Sequence, residues 1–344
     1  MKRKKLKRFE GVLIICNSIA INGLNRIITG SILNSKNIRE NRMKSLTYRT
    51  VILATTLMIA SCSESPINTE QVDEVTANNL MDQFTESFSA AWASGDAETI
   101  GQLYSEDAIR IVSTSATPTY GREAIISEFV VDFSSPDGAT TIQAIAEIAK
   151  FISDDIVIGA GTYEVINADG TIGATGLWGN AFQLKAGRLL MLMESAGDMA
   201  TGGMNPSSLA VPQVRDAVYI GPRADALNRI VTTYEENNAT NPQAVADLFL
   251  DDGLHVISGN GRVISGKEDI SESLTTSAVP GVALDAWSYG YREIGNSLAL
   301  GWGGYNLTDS DGTIIEYGQW GNINKIIADS DMIVMERAGP FSGQ

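Results

Sequence analysis

One histidine, His255, stands in the whole sequence. That excludes a multi-histidine zinc site and leaves a Ser-His-Asp triad only one possible centre. No Gly-x-Ser-x-Gly turn is present to carry the serine of such a triad. The two cysteines, Cys16 and Cys62, do not make a disulfide framework: one lies in a basic leader and the other ends an apolar run. Basic residues are scarce beyond that point. From Cys62 onward 13 Lys/Arg face 39 Asp/Glu, a net of −26 within a chain of net −16. A body this acidic repels phosphate backbones, which argues against nucleic acid as a partner. Its acidic residues form no clustered run, so the charge reads as solvation rather than as a mark of a cationic substrate. "DSDG" at Asp309–Gly312 lacks the further ligands of a calcium loop and reads instead as a hairpin turn. No metal site and no cofactor is implied.

The longest apolar stretch near the N-terminus is also short. Val51–Ala60 falls well below the roughly 20 residues that a bilayer-spanning helix needs. Lys44 and Arg49 precede it and small residues follow it up to Cys62, the three-part layout of a secretory signal. Ile59-Ala60-Ser61-Cys62 resembles the lipobox of bacterial lipoproteins, which implies diacylglycerol on the Cys62 sulfur and cleavage before it. Residues 1–42 carry ten Lys/Arg against two Asp/Glu and read as an over-extended or disordered N-terminus, with translation starting at Met43. The expected layout is therefore a signal over 43–61 and a polar tether over 62–74. That address is the bacterial cell envelope, periplasm-facing or at the outer membrane, with the membrane engaged through a lipid.

The rest of the chain repeats itself. Leu103–Ser113 matches Leu248–Ser258, and Tyr120–Ile125 matches Ser265–Ile270, both at an offset of 145. Gly159–Thr171 matches Gly301–Thr313 at 142, as do Trp178-Gly179-Asn180 with Trp320-Gly321-Asn322 and Met193–Gly197 with Met335–Gly339. Blocks in the same order with one three-residue slip indicate a duplicated domain, too long for a solenoid unit. Each copy has the same grammar. Leu80, Phe84, Phe88 and Trp92 recur every four residues, one apolar face of a helix. Gly95 stops that helix and Asp96 caps the next; Asn241 and Pro242 do the same in the second copy. A short strand and a third helix follow, then strands turned by "NADGT" and "DSDGT". The fold class is α+β: about three helices packed on a curved antiparallel sheet, twice.

The stretch "AWASGDAETIGQLYSEDAIRIVS", with "YGREAI" and long strands after it, resembles the nuclear transport factor 2-like superfamily, SnoaL-like branch. The resemblance covers about Val75–Asp198 and Arg223–Pro340, leaving 199–222 as linker. It implies two cone-shaped domains, 75–198 and 223–340, paired through their sheets as an intrachain pseudo-dimer. It does not imply a chemistry, because the superfamily holds enzymes and non-catalytic binders alike. The ketosteroid isomerase branch would place its base at Val112 or Ile257, its tyrosine near Phe88 or Thr233 and its acid near Trp178 or Trp320. None of these residues can do that work, so the mechanism is not carried over.

Polar residues on inward-facing strands remain as candidates. Alternation places Trp178, Asn180 and Phe182 on one face, and Trp320, Asn322 and Asn324 on the matching face. Glu194, sharing a face with Leu190 and Leu192, and Glu336, with Met332 and Val334, are candidate acid–base groups. Arg110 and His255 occupy equivalent positions and would assist them. Trp287, Tyr289, Tyr291 and Trp302 add aromatic surface suited to a small-molecule pocket or to sheet–sheet packing. Three functions fit. The favoured one is an envelope lipoprotein binding a small apolar or aromatic molecule without catalysis. A SnoaL-like acid–base enzyme in one cone and an accessory module for another envelope protein are the alternatives.

Overall fold

The structure is a computed structural model that describes residues 69–134, 141–199, 219–328 and 330–341. The signal over 43–61 with Cys62, residues 1–42, most of the tether and nearly all of the 199–222 linker lie outside the described residues. The first half runs α1 (Thr69–Ser94), α2 (Ala97–Gly101), β1 (Tyr104–Val112), β2 (Thr119–Tyr120), α3 (Arg122–Ser134), then β3 (Thr141–Phe151), β4 (Ile156–Ile166), β5 (Ile172–Lys185) and β6 (Arg188–Asp198). The second half repeats the order with α4 (Ala224–Asn237), α5 (Pro242–Ala246), β7 (Phe249–Ile257), β8 (Arg262–Ser265) and α6 (Lys267–Ser277). It closes with β9 (Ala283–Ile294), β10 (Leu298–Thr308), β11 (Ile314–Ile327) and β12 (Ser330–Pro340).

Local sequence accounts for these elements. Ala77, Met81, Phe84, Phe88 and Ala91 are buried along one side of α1, the i, i+4, i+7 pattern of an amphipathic helix. Gly95 takes φ +65° and ends it. The Asp96 carboxylate then accepts from the backbone N–H groups of Glu98 and Thr99 at 3.0 and 3.4 Å, satisfying two orphan donors of α2. In the second half Asn241 makes no such side-chain bond, contrary to expectation. Pro242 opens α5 instead, supplying the helical φ and one fewer N–H to satisfy. Gly170 and Gly312 take φ +82° and +79° in the two Asp-Gly turns that join β4 to β5 and β10 to β11.

Each half carries a six-stranded sheet, in the orders β2-β1-β6-β5-β4-β3 and β8-β7-β12-β11-β10-β9. The sheets are mixed rather than wholly antiparallel. β1 runs parallel to β6, and β7 to β12, because the closing strand of each meander returns beside the opening strand in the same direction. The helical layer is also slighter than three full helices: two longer helices and a five-residue turn in each half.

Three apolar layers result. One lies under α1 and α3, built on Met81, Phe84, Phe129 and Phe182. A second lies under α4 and α6, built on Ile230, Phe249, Ile270 and Leu274. Between the two sheets runs a third layer shared by both halves: Ile109, Ile111, Ile158 and Met193 from one, Leu254, Val256, Ile323 and Met335 from the other.

The repeated Trp-Gly-Asn triplet sits where these layers meet. Trp178 and Asn180 point to the helix side of their sheet, so Gly179 between them points to the other half. A Cβ on Gly179 would stand 3.2 Å from Arg337 Cβ, and one on Gly321 would stand 2.9 Å from Ile111 Cδ1. Both glycines therefore mark the close approach of the sheets. The rim is polar: Trp302 Nε1 donates to Tyr120 Oη at 3.0 Å, Gln319 Nε2 to the Ser115 carbonyl at 2.7 Å, and Arg292 pairs with Asp107 at 3.0 Å. Exposed pairs of the last kind contribute little individually, so the apolar layer carries the contact. Gly321→Val is expected to overpack it and lower unfolding free energy by about 1–3 kcal/mol in denaturant titrations. Gly259→Ala, where a Cβ meets nothing within 4 Å, is the control expected to change little.

Candidate functional site

Each half holds a cavity on the helix side of its sheet. The first, of about 680 Å³, is walled by Phe84, Phe88, Trp92, Phe133, Trp178 and Phe182, with Arg110, Asn180 and Glu194 among its polar groups. The second, of about 410 Å³, is walled by Ile230, Val231, Leu274, Leu284, Leu307 and Trp320, with His255, Asn322 and Glu336. The two indoles are fixed alike: Trp178 Nε1 donates to the Thr162 carbonyl at 3.0 Å and Trp320 Nε1 to the Gly304 carbonyl at 3.2 Å. Trp287 and Tyr289 line neither cavity, which corrects the sequence expectation. Trp287 packs over Gly304 on the outer face of its sheet, and Tyr289 joins the layer between the halves. Trp302 also lies in that layer, and Tyr291 donates to Asp331 at 2.7 Å.

Glu194 and Glu336 reach the cavities by a different route from simple alternation. The register of β5 on β6 shifts between the Ala181–Met193 and Phe182–Met191 pairs, and that of β11 on β12 between Ile323–Met335 and Asn324–Ile333. Each shift is a bulge that sends two successive residues, Leu192–Met193 and Val334–Met335, into the layer between the sheets. The next residue, the glutamate, then faces the cavity together with Met191 in the first half. Glu194 accordingly does not share a face with Leu192, nor Glu336 with Val334.

The register then sets each glutamate opposite the residue the repeat predicts, Arg110 beside Glu194 and His255 beside Glu336. From here the halves diverge. Arg110 Nε donates to Glu194 Oε2 at 3.0 Å and its Nη1 to Glu128 Oε2 at 2.7 Å, while its Cζ lies 4.6 Å from the Phe129 ring centre. Tyr104 Oη donates to the same Glu194 oxygen at 2.6 Å, and Thr119 donates to Glu128. Burial works against the charge on Arg110, but Glu194, Tyr104 and Glu128 outweigh it and raise its pKa. The result is a closed ionic network.

In the second half the guanidinium is replaced by the buried imidazole of His255, whose Nε2 lies 3.7 Å from Glu336 Oε1. That is too long for a hydrogen bond. Burial lowers the His255 pKa to about 4, so the ring is neutral at neutral pH and pairs with no charge. Glu336 receives Tyr234 Oη on Oε1 at 2.6 Å and a long contact from Asn322 Nδ2 on Oε2 at 3.4 Å. Burial pushes its pKa up to about 7, against the lowering effect of those two donors. Glu128 of the first network is matched at the same offset by Ser273, which removes a second charge.

Tyr104, Glu128 and Tyr234 escaped the sequence reading. Tyr104 had a visible signal, since it stands against Phe249 inside one of the matched blocks. Tyr234 had none: its hydroxyl comes from α4, whereas Tyr104 comes from β1, so the two donors are not at equivalent positions. Among the described residues no group of three or more His, Cys, Asp or Glu is placed to hold a metal ion.

Some solved structures match about a third of this chain at low identity and low TM-score. They include a domain of unknown function with a cystatin-like fold from Nostoc punctiforme, at 16% identity over 36% of this chain and 78% of its own, with a TM-score of 0.33. An NTF-2 like protein of unknown function from Shewanella oneidensis matches at 16% over 35% and 98%, TM-score 0.30. A ketosteroid isomerase-like protein from Erwinia carotovora atroseptica matches at 16% over 34% and 95%, TM-score 0.29. No family model and no curated protein matches the chain.

The contrast between the halves is measurable. Arg110→Leu strands two carboxylates and is expected to cost about 3–5 kcal/mol of unfolding free energy. His255→Leu strands no charge and is expected to cost far less in the same titration. Glu336 has its folded pKa raised above the unfolded value, so its contribution is present below about pH 4.5 and lost as pH rises through about 7. Relative to Glu336→Gln, the native chain is expected to lose roughly 3 kcal/mol across that window. A difference that stays flat with pH would contradict the assignment.

Proposed function

We propose that this protein is a lipid-anchored envelope protein whose two halves are duplicated NTF2-like, SnoaL-like cones, each binding a small apolar or aromatic molecule. The observation that carries the reading is the pair of cavities, each apolar-walled with a tryptophan held by a strand carbonyl and a buried glutamate at its polar end. Cavities of several hundred Å³ that combine apolar walls with convergent polar groups suit compact ligands. The cones pair as an intrachain pseudo-dimer through the apolar layer between their sheets. Membrane attachment rests on the lipobox-like ending at Cys62. In the first cone Arg110, Glu128 and Glu194 bond to one another, which fits binding without catalysis.

The second cone carries a separate reading as an acid–base site. Glu336, with a pKa of about 7 in an apolar cavity, is poised to give or take a proton near neutral pH. If a turnover is detected, Glu336→Gln is expected to abolish it; unaffected turnover in both Glu336→Gln and Glu194→Gln would remove this reading.

Ligand binding is tested by thermal shift against an apolar and aromatic metabolite set. Trp178→Leu and Trp320→Leu are each expected to abolish the shift from one class of ligand only. No shift from any member would contradict the binding assignment. Labelled palmitate is expected on the native chain and absent from Cys62→Ser; equal label on both would refute the anchor.

A further inference from the structure

The first half fixes what a carboxylate in this position requires. Glu194 is held by a cation from the neighbouring strand, and that cation is Arg110 at 3.0 Å. Glu336 occupies the same place in the second half, equally buried, but the residue opposite it is the neutral His255. The cavity around Glu336 therefore keeps the carboxyl and lacks its counter-ion. Two details locate the under-bonded side of the carboxyl. Glu336 Oε2 has only the 3.4 Å contact from Asn322, while Tyr234 occupies Oε1. His255 Nδ1 is buried without a hydrogen-bond partner, so the imidazole neither closes the network nor carries charge into it.

Among the described residues, the groups lining the cavity around this carboxyl include no cation. α4 contributes Tyr234, β7 His255 and β11 Asn322 and Glu316. β10 contributes Tyr305, whose hydroxyl donates to Glu316 at 2.8 Å. The lining residues of α6, Leu274 and Ser277, do not titrate. Arg337 follows Glu336 on β12 but points away into the layer between the sheets, where its Nη2 donates to Ser258 Oγ at 2.9 Å. The remaining lining is uncharged, mostly aliphatic with Asn238 and Asn260, and the Trp320 ring and two tyrosines are at hand for a cation–π contact.

We propose that the second cavity takes a small apolar amine as its ammonium ion, the ammonium filling beside Glu336 the role that Arg110 fills beside Glu194. This rests on the reading that the cones bind small molecules. An ammonium supplies the donors that Oε2 lacks and compensates the buried charge, while its hydrocarbon part occupies the apolar walls. The acidic body raises the local concentration of cations at the mouth. Pairing favours the ionised carboxyl, so binding strengthens as pH rises through about 7.

Calorimetric titration of the full chain with benzylamine and with its neutral isostere benzyl alcohol tests this. Benzylamine is expected to bind the native chain at least about tenfold more tightly at about pH 8.5 than at about pH 5. Benzyl alcohol is expected to show no such dependence. Glu336→Gln is expected to erase the pH dependence. His255→Arg, which restores an internal cation, is expected to abolish tight benzylamine binding while the chain stays folded. Benzyl alcohol binding as tightly as the amine at pH 8.5, or amine binding that strengthens as pH falls, would overturn the amine assignment and leave the two-site reading intact. If neither compound binds at either pH, both fall.

Discussion

The close approach of the two sheets at Gly179 and Gly321 is the constraint on which the rest of the structure depends. Each half has a helix-covered face and a face with nothing of its own to cover it. Ile109, Ile111, Ile158 and Met193 can leave water only against Leu254, Val256, Ile323 and Met335. The geometry that permits this contact also shapes the cavities. In each Trp-Gly-Asn strand the glycine lets the partner sheet in from one side, and its neighbours turn a ring and an amide to the other. The bulges at Leu192–Met193 and Val334–Met335 serve the same contact: they send one extra apolar residue into the shared layer and, as a consequence, aim the following glutamate at the cavity.

On that common frame the two halves differ by charge. The first keeps Arg110, Glu128 and Glu194 in one bonded set with Tyr104 and Phe129. The second replaces the arginine by His255 and the outer glutamate by Ser273, and draws its tyrosine from a helix instead of a strand. The same backbone thus holds a carboxyl that is saturated in one cavity and under-bonded in the other. The layer between the sheets is unequal too. Arg337 is buried there with Nε lacking a partner, where the first half has Ser195. A second buried arginine in place of Ser195 would add another desolvated charge to that layer, so the substitution favours pairing of unlike halves.

Much of this was legible in the residues. The matched blocks predicted two units of the same element order, the four-residue spacing of Phe84 and Phe88 predicted the long helix, and the Asp-Gly pairs predicted the turns. The inward set of Trp178, Asn180, Trp320 and Asn322 followed from two-fold alternation and lines the cavities. What sequence pattern misses is what breaks a period. The bulges shift Glu194 and Glu336 relative to Leu192 and Val334, and no residue type announces them. Trp287 and Tyr289 read equally well as pocket or as contact surface, because both environments reward large apolar rings; only the register of Trp287 on Gly304 and the packing of Tyr289 in the shared layer assign them outward. Long-range partners such as Glu128 and Tyr234 come from elements whose approach depends on the finished fold. The parallel pairing of β1 with β6 escaped for the same reason.

The two halves stand or fall together through the layer between their sheets. Native-state hydrogen exchange followed peptide by peptide measures this most directly, comparing β5–β6 with β11–β12 as denaturant is raised. One common opening free energy for both pairs of strands, falling with a single slope, is the predicted result. Opening of the second half at a denaturant concentration where the first remains fully protected would contradict it.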